Sequence, residues 1–341
     1  MELKTWFIKS YKNKEILFAS SGRSALQAAI KDFSLKNSKI IIPSFICADV
    51  FYSLFKTNNI AHVFIDCPKK SFNLSFSNIK EACEKNKGIK AIILVHNFGL
   101  LNKDIEKIAL FCKKKNIILI EDCAHIINIS KNNKQAGCFG DASIFSFPKI
   151  SNAFLGGAYV RNKGKINVKA EDYKVRFIDI YRFFNMNFRF IIDFLKLFKK
   201  EKQEKLIIKA EKIIITKPPF FFSLFKIKND FDTEKRKKIA LIFHKKLNSY
   251  LLEKTTKENF FQSIPILVKN RDKIFQILTN KGIKCRKFWH PILSSLYNKK
   301  SPNADFFSER ILNILINPSW DEKQAEKISD TISKTIKKYD F

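Results

Sequence analysis

Three short stretches of the chain combine residue types that chemistry needs. Ile117 to Asp122 is an aliphatic run ending in two acids, and Cys123-Ala124-His125 follows, placing a histidine three residues after Asp122. A carboxylate at the end of a buried run can hold a protonated aromatic ring nitrogen, because its charge acts strongly in a dry site. The plain alternative is an aspartate capping the next turn and a histidine satisfied in the core. Phe139-Gly140-Asp141-Ala142-Ser143-Ile144-Phe145-Ser146-Phe147-Pro148-Lys149 closes a second apolar run on a lysine, seven residues before Gly156-Gly157. A lysine among aromatic neighbours can serve as a nucleophilic amine able to form a Schiff base, although position alone singles out no lysine in so lysine-rich a chain. Ser20-Ser21-Gly22-Arg23-Ser24 opens a helix-like stretch. Free N–H groups and the dipole at a helix start attract phosphate, and serine there is equally an ordinary N-cap.

Elements of a definite kind must carry these residues. Lys39 to Pro43, His62 to Asp66, Lys90 to His96, Ile117 to Asp122 and Ser143 to Phe147 are short, aliphatic and stopped by polar residues, so they read as strands. Helix-length amphipathic stretches such as Lys103 to Lys115 separate them. Continuous apolar strands alternating with helices predict an α/β architecture with a mostly parallel sheet buried on both faces. Ligands then bind beyond the carboxyl ends of the strands, where Asp66, His96, Glu121 and Asp122 are the candidates. Periodicity fails over 201–229, around Pro218-Pro219 and Phe220 to Phe222. The domain expectation is a large unit over 1–200, an irregular connection over 201–229 and a small α+β unit over 230–341. The last holds helices near Thr233 to Leu252, Asp305 to Ile314 and Asp321 to Lys338, and strands near Ser263 to Val268 and Ile283 to Phe288.

Composition bounds the function. At 341 residues the chain holds about two domains at roughly 150 residues each, and 45% hydrophobic residues suffice for a real core. Lys plus Arg is 64 against 32 acids, a formal charge of +32. Such a charge suits nucleic acid, acidic lipid or an anionic substrate. It is spread along most of the chain beside abundant Ile, Asn and Phe, a pattern that codon bias produces without a selected partner, so nucleic acid is not the expected ligand. Seven widely spaced cysteines (Cys47, Cys67, Cys83, Cys112, Cys123, Cys138, Cys285) form no C-x-x-C pair, so no metal site is expected and a reducing cytoplasm is the simplest location. Met1 to Lys12 has no apolar core of a signal peptide. Phe183 to Phe198 is interrupted by Arg189, Asp193 and Lys196 and is no spanning helix. Its broad apolar face must be covered, by the subunit, a dimer interface or peripheral contact with a membrane surface.

Taken in order, the serine-rich helix start, E-D-x-A-H after a strand, and G-D…F-S-F…K…G-G resemble the DegT-type (DegT/DnrJ/StrS) sugar aminotransferase family. The likeness continues through Ile264 to Arg271, Lys281 to Arg286, Trp289-His290-Pro291 and Asn303 to Leu312, so it spans nearly the whole chain. It implies the aspartate aminotransferase-like fold (fold type I), pyridoxal 5'-phosphate (PLP) as cofactor, and a homodimer. The implied reaction moves an amino group from an amino acid, glutamate first, to a nucleotide-linked keto sugar for surface polysaccharide or glycan synthesis. Carried over residue by residue, Lys149 is the Schiff-base lysine and Asp122 the partner of the pyridine nitrogen. His125 contacts the ring hydroxyl, Gly22, Arg23 and Ser24 form the phosphate turn, and Ser146 is a further phosphate donor. Asn187, in Asn187-Phe188-Arg189, matches an asparagine that reaches the partner subunit's cofactor phosphate; an unrelated buried amide is the alternative.

The chain departs from the family pattern in two places near the site. Two residues are missing between the F-S-F run and Lys149, while the spacing onward to Gly156-Gly157 is the usual one. The phosphate turn also begins near residue 20, earlier than in most members, so the N-terminal arm is expected to be short or absent. Two rival readings follow: a PLP dehydratase, whose members replace the lysine by histidine, and a non-catalytic basic scaffold. Arg286 and His290 are further candidates for facing substrate, or else a solvated arginine and a turn histidine.

Overall fold

The computed structural model describes residues 1–151, 153–175, 213–219, 222, 231–253 and 258–340. Asn187, the segment 183–198 and most of 201–229 lie outside the described residues. The order begins α1 (Leu3–Ser10), β1 (Glu15–Ala19), α2 (Gly22–Asp32), β2 (Lys39–Pro43), α3 (Ala48–Asn58), β3 (Ala61–Ile65), α4 (Phe76–Lys85), β4 (Ile89–Val95). It continues α5 (Ile105–Lys115), β5 (Ile118–Asp122), β6 (Ser130–Lys131), β7 (Lys134–Gln135), β8 (Ala142–Ser146), α6 (Phe147–Ile150), β9 (Gly157–Arg161). The remainder is α7 (Thr233–Leu247), β10 (Ser263–Leu267), α8 (Arg271–Asn280), β11 (Cys285–Arg286), α9 (Pro302–Arg310), β12 (Ile311–Leu315) and α10 (Glu322–Tyr339). Among the described residues no helix is long and apolar enough to cross a membrane.

A seven-stranded sheet has the order β1-β9-β8-β5-β4-β2-β3. Strands β3, β2, β4, β5 and β8 are parallel, whereas β9 is antiparallel to both β8 and β1. The apolar runs lack alternation because both faces are packed. Ile40, Ile42, Ala91, Ile93 and Ile120 meet α2 and α3 on one side, and Ile41, Ile92, Leu94 and Leu119 meet α4 and α5 on the other. The five strands expected from sequence all form, displaced by at most one residue.

Strands β1 and β9, which sequence reading missed, build the edge that matters. Because β9 is antiparallel to both neighbours, its first residue meets their last: Gly157 pairs with Ala19 and with Ser146. The turn into α2, the end of β8 and Gly156-Gly157 therefore converge. The chain ahead of this turn forms α1, and Phe7 packs edge-on against Phe145 and Phe147 with ring centroids 5.0 and 5.3 Å away. Helix α1 thus packs against the turn that carries Lys149.

The second sheet has the antiparallel order β10-β12-β11. Here the expected helix over Asp305 to Ile314 is corrected. It stops at Arg310, and Ile311–Leu315 is the central strand. The run I-L-N-I-L carries two β-branched isoleucines and is buried on both sides, a strand signal hidden behind the helix period of the preceding residues. The expected strand over Ile283 to Phe288 shrinks to Cys285–Arg286, and the helix from Thr233 ends at Leu247 rather than Leu252. One apolar cluster joins Phe45, Phe72 and Phe98 from the first sheet's loops to Ile264, Ile266, Phe307, Leu312 and Ile314. A backbone strap joins them as well: Gly99 O accepts from Phe260 N at 2.7 Å and Phe98 O from Gln262 N at 3.1 Å.

Candidate active site

Period-2 alternation separates the two acids at the end of β5. Glu121 points away from the site and is fully buried. Its carboxylate accepts backbone N–H bonds from Gly137 (2.9 Å), Phe139 (2.6 Å) and Gly140 (2.8 Å). His96 Nδ1 accepts from Asn102 N at 3.1 Å, so Nε2 carries the proton and donates to Glu121 at 3.2 Å. Cys123 lies beside this pair, but Glu121 is saturated and burial pushes the Cys123 thiol well up, toward its protonated form. The cluster is a structural clamp on the loop between β7 and β8. Asp66 is likewise structural. Its oxygens accept from Asn303 N (2.8 Å) and Ala304 N (2.9 Å), capping α9. Of the four strand-end candidates, only Asp122 faces the site.

Asp122 Oδ1 accepts from Ala124 N at 3.0 Å. Burial raises its pKa, opposed chiefly by the positive charge of Lys149. His125 is also buried, and burial together with the Lys149 charge holds its pKa well below the ordinary value, so the ring is neutral. Phe98 N–H donates to Nδ1 at 3.2 Å. The proton therefore sits on Nε2, and that buried N–H has no partner among the described residues. A buried donor left in this way calls for an acceptor on a bound group.

Lys149 lies on the one-turn helix α6 directly after β8. The chain turns into this helix at Phe147, immediately after Ser146. Its Nζ stands 5.3 Å from the centre of the Trp289 ring. Trp289, from the second unit, stacks on His125 at 5.4 Å and 14°, and its Nε1 donates to Asn97 Oδ1 at 3.3 Å. Lys149, Asp122 and His125 thus share one electrostatic neighbourhood.

The turn into α2 lies at the other side of this neighbourhood, against the end of β8. Ser21 caps the helix, accepting from Ser24 N at 3.2 Å. The first-turn N–H groups have no intrahelical acceptors and lie against Ser146. A Cβ on Gly22 would come 2.9 Å from Ser146 Cβ, and one on Gly157 would come 2.6 Å from Ser21 C and 2.7 Å from Gly22 N. Only glycine permits this approach. Arg23 is exposed at the same turn. The Ser24 hydroxyl is turned elsewhere: it accepts from Thr216 N at 2.8 Å. Ser20 N donates to Thr216 O at 2.8 Å, and the two hydroxyls bond as well. Of the further candidates, His290 Nδ1 lies 3.1 Å from Ser308 Oγ, and Arg286 is exposed on β11.

The sequence profile of the DegT/DnrJ/EryC1/StrS aminotransferase family matches residues 2–183. The chain belongs to this family. GDP-perosamine synthase of Vibrio cholerae is 25% identical over 98% of this chain and 89% of that protein. UDP-4-amino-4,6-dideoxy-N-acetyl-beta-L-altrosamine transaminase of Campylobacter jejuni is 24% identical over 81% of this chain and 73% of that protein. A family aminotransferase from Brucella abortus superposes with a TM-score of 0.72 at 20% identity, covering 97% of this chain and 88% of that one. The E. coli GDP-4-keto-6-deoxy-D-mannose-3-dehydratase with bound hydrated PLP superposes equally, with a TM-score of 0.72 at 19% identity over 97% and 90% of the two chains. The fold is that of the PLP-dependent sugar aminotransferases, and PLP is the family's cofactor.

The residues present fit that cofactor: an acid for the ring nitrogen, an unpartnered N–H for the ring oxygen, a helix start pressed against Ser146 for the phosphate, and a lysine in reach. Thr216, Trp289, Asn97 and the Phe98 amide escaped sequence reading. Their partners are distant in the chain, and only the W-H-P element carried a local signal.

Proposed function

We propose that this aminotransferase transfers an amino group from an amino acid, glutamate first, to a keto sugar carried on a nucleotide, within surface polysaccharide or glycan synthesis. The observation that carries the reading is the common neighbourhood of Lys149, Asp122 and His125: the last two are buried, and the charge of Lys149 opposes the effect of burial on Asp122 and adds to it on His125. The names of the relatives supply the substrate class. We assign the large unit, 1–200, to holding the cofactor and 230–341 to closing over it, and take the working form to be a homodimer to which Asn187 contributes.

Bound PLP supplies an electrophilic carbon and a ring that accepts an electron pair. Asp122 keeps a proton on the ring nitrogen, which sustains that electron demand. The His125 Nε2–H would donate to the ring oxygen, and the start of α2 with Ser146 would hold the phosphate. Lys149, once its amine is free, moves the α-proton. A lysine rather than histidine at this place favours transfer over dehydration.

The test is Lys149→Ala. Wild-type protein should carry a visible absorption band that borohydride bleaches while fixing cofactor on the Lys149 peptide. The variant should lose about 10²–10⁴-fold or more in transamination with an unchanged circular dichroism spectrum. Turnover at the wild-type rate, or cofactor fixed on another lysine, would overturn the assignment.

A further inference from the structure

We infer that Trp289 is a positioning residue for His125 and Lys149, and that Asn97 sets the orientation of its ring. The inference rests on the aminotransfer reading above for what His125 and Lys149 do, and on the contacts of this chain for how they are held.

One hydrogen bond fixes a point on an imidazole and leaves its plane free. Phe98 N–H holds His125 Nδ1 at 3.2 Å, and a ring pivoting about that contact would swing its buried, unpartnered Nε2–H. Two flat neighbours remove the pivot. Trp289 lies along His125 with centroids 5.4 Å apart and planes 14° apart, and Phe288 does so at 5.8 Å and 28°. The same indole is 5.3 Å from Lys149 Nζ, within the range over which an aromatic face attracts a charged amine. Trp289 therefore meets the imidazole and the lysine amine together.

The indole serves in this way only if its own orientation is set. Its N–H donates and accepts nothing, so when buried it settles where an oxygen is offered. Asn97 Oδ1 is that oxygen, at 3.3 Å. The Asn97 amide is itself oriented, because Nδ2 donates to Phe72 O at 3.0 Å and to Phe45 O at 3.5 Å. Turned over, it would set its NH2 group against the indole N–H and its oxygen against two carbonyls. The Asn97 main chain is tied down as well, its N–H donating to Asn73 Oδ1 at 3.0 Å. On the other side Trp289 O accepts from Ser308 Oγ, on α9, at 2.6 Å. The first unit thus holds the ring and the second holds the backbone, the kind of locked support that keeps reacting groups in productive geometry.

The experiment is a double-mutant cycle on the cofactor-loaded protein. Asn97→Leu removes the acceptor, Trp289→Phe keeps a ring without the donor, and a third variant combines them. Each single change should lower kcat about tenfold, and the combination should also lower it about tenfold, because all three break the same contact. Both single variants should displace the pH midpoint of the visible cofactor band in the direction in which His125→Ala displaces it. Cofactor-free protein gives a readout apart from turnover. Of the three tryptophans, the one whose indole N–H resonance Trp289→Phe deletes should show that resonance shifted in Asn97→Leu, with faster hydrogen exchange. Losses that multiply to about a hundredfold, a band midpoint that neither variant moves, or an indole resonance unchanged by Asn97→Leu would each overturn the inference. Should Asn97→Leu fail to fold, the band midpoint of Trp289→Phe decides alone. Cofactor fixed on Lys149 beside multiplying losses sinks this inference only. An indole resonance moved by Asn97→Leu in a chain that fixes no cofactor sinks the aminotransfer reading and leaves Asn97 as the residue that orients Trp289.

Discussion

Asp122 carries opposed demands. The proposed reaction wants it ionised, while burial raises its folded-state pKa above the unfolded value. For an acid shifted in that direction, ionisation inside the fold weakens it. The loss is absent below the unfolded carboxylate range, grows as pH climbs through the elevated folded value, and is complete above it. Asp122→Asn keeps an acceptor for Ala124 N–H and removes the charge. The cofactor-free variant is expected to melt higher than wild type at neutral pH, with the gap closing toward pH 3, and to transaminate about 10²-fold slower or worse. Thermal scans across pH decide it: equal melting temperatures at pH 7 would show that the buried charge is not a burden. Asp122, His125 and Lys149 were legible because each sits in a contiguous motif. The fate of Ser24 was not, since Thr216, which takes its hydroxyl, is far away in sequence and in a stretch without periodicity.

Among the elements, the antiparallel insertion of β9 brings Gly157 against the start of α2, the turn proposed to hold the phosphate. Adding a methyl group at 157 drives a Cβ into Ser21 and Gly22 backbone atoms 2.6–2.7 Å away, so the helix start must retreat from Ser146. Gly157→Ala should therefore weaken binding of PLP about tenfold or more while leaving the affinity for pyridoxal, which lacks the phosphate, near wild type. Equal losses for both compounds would mean that the glycine serves the fold at large. The parallel strands were readable because burial on both faces leaves an unbroken aliphatic run. Strand β9 was hidden because it opens on glycines, which ordinarily weaken strands, and β12 because Asn313 and the helix before it disguise a strand of five residues.

For the whole molecule, the apolar cluster that contains Phe45, Phe72 and Phe98 as well as the second sheet implies that the two units do not unfold separately. Phe72 is fully buried, with ring centroids 5.1 Å from both Phe98 and Phe307. Phe72→Ala should cost about 3–5 kcal/mol and should lower the denaturant midpoint of a single transition. Two resolved transitions, only one of them moved, would show that the units are independent. Sequence reading expected two units and did not foresee this shared core, because its members come from segments 139 residues or more apart, the gap between Leu100 and Ile239.

The strap between the units has a mechanical corollary. Phe98 gives its amide hydrogen to His125 and its carbonyl to Gln262, so one residue is tethered to the ring on one side and to the second unit on the other. A rocking motion of that unit would tug on the very amide that dictates which imidazole nitrogen bears hydrogen. Because the tether is main chain, side-chain drift at position 98 leaves it in place, and any displacement of the second unit would reach His125 through this one residue.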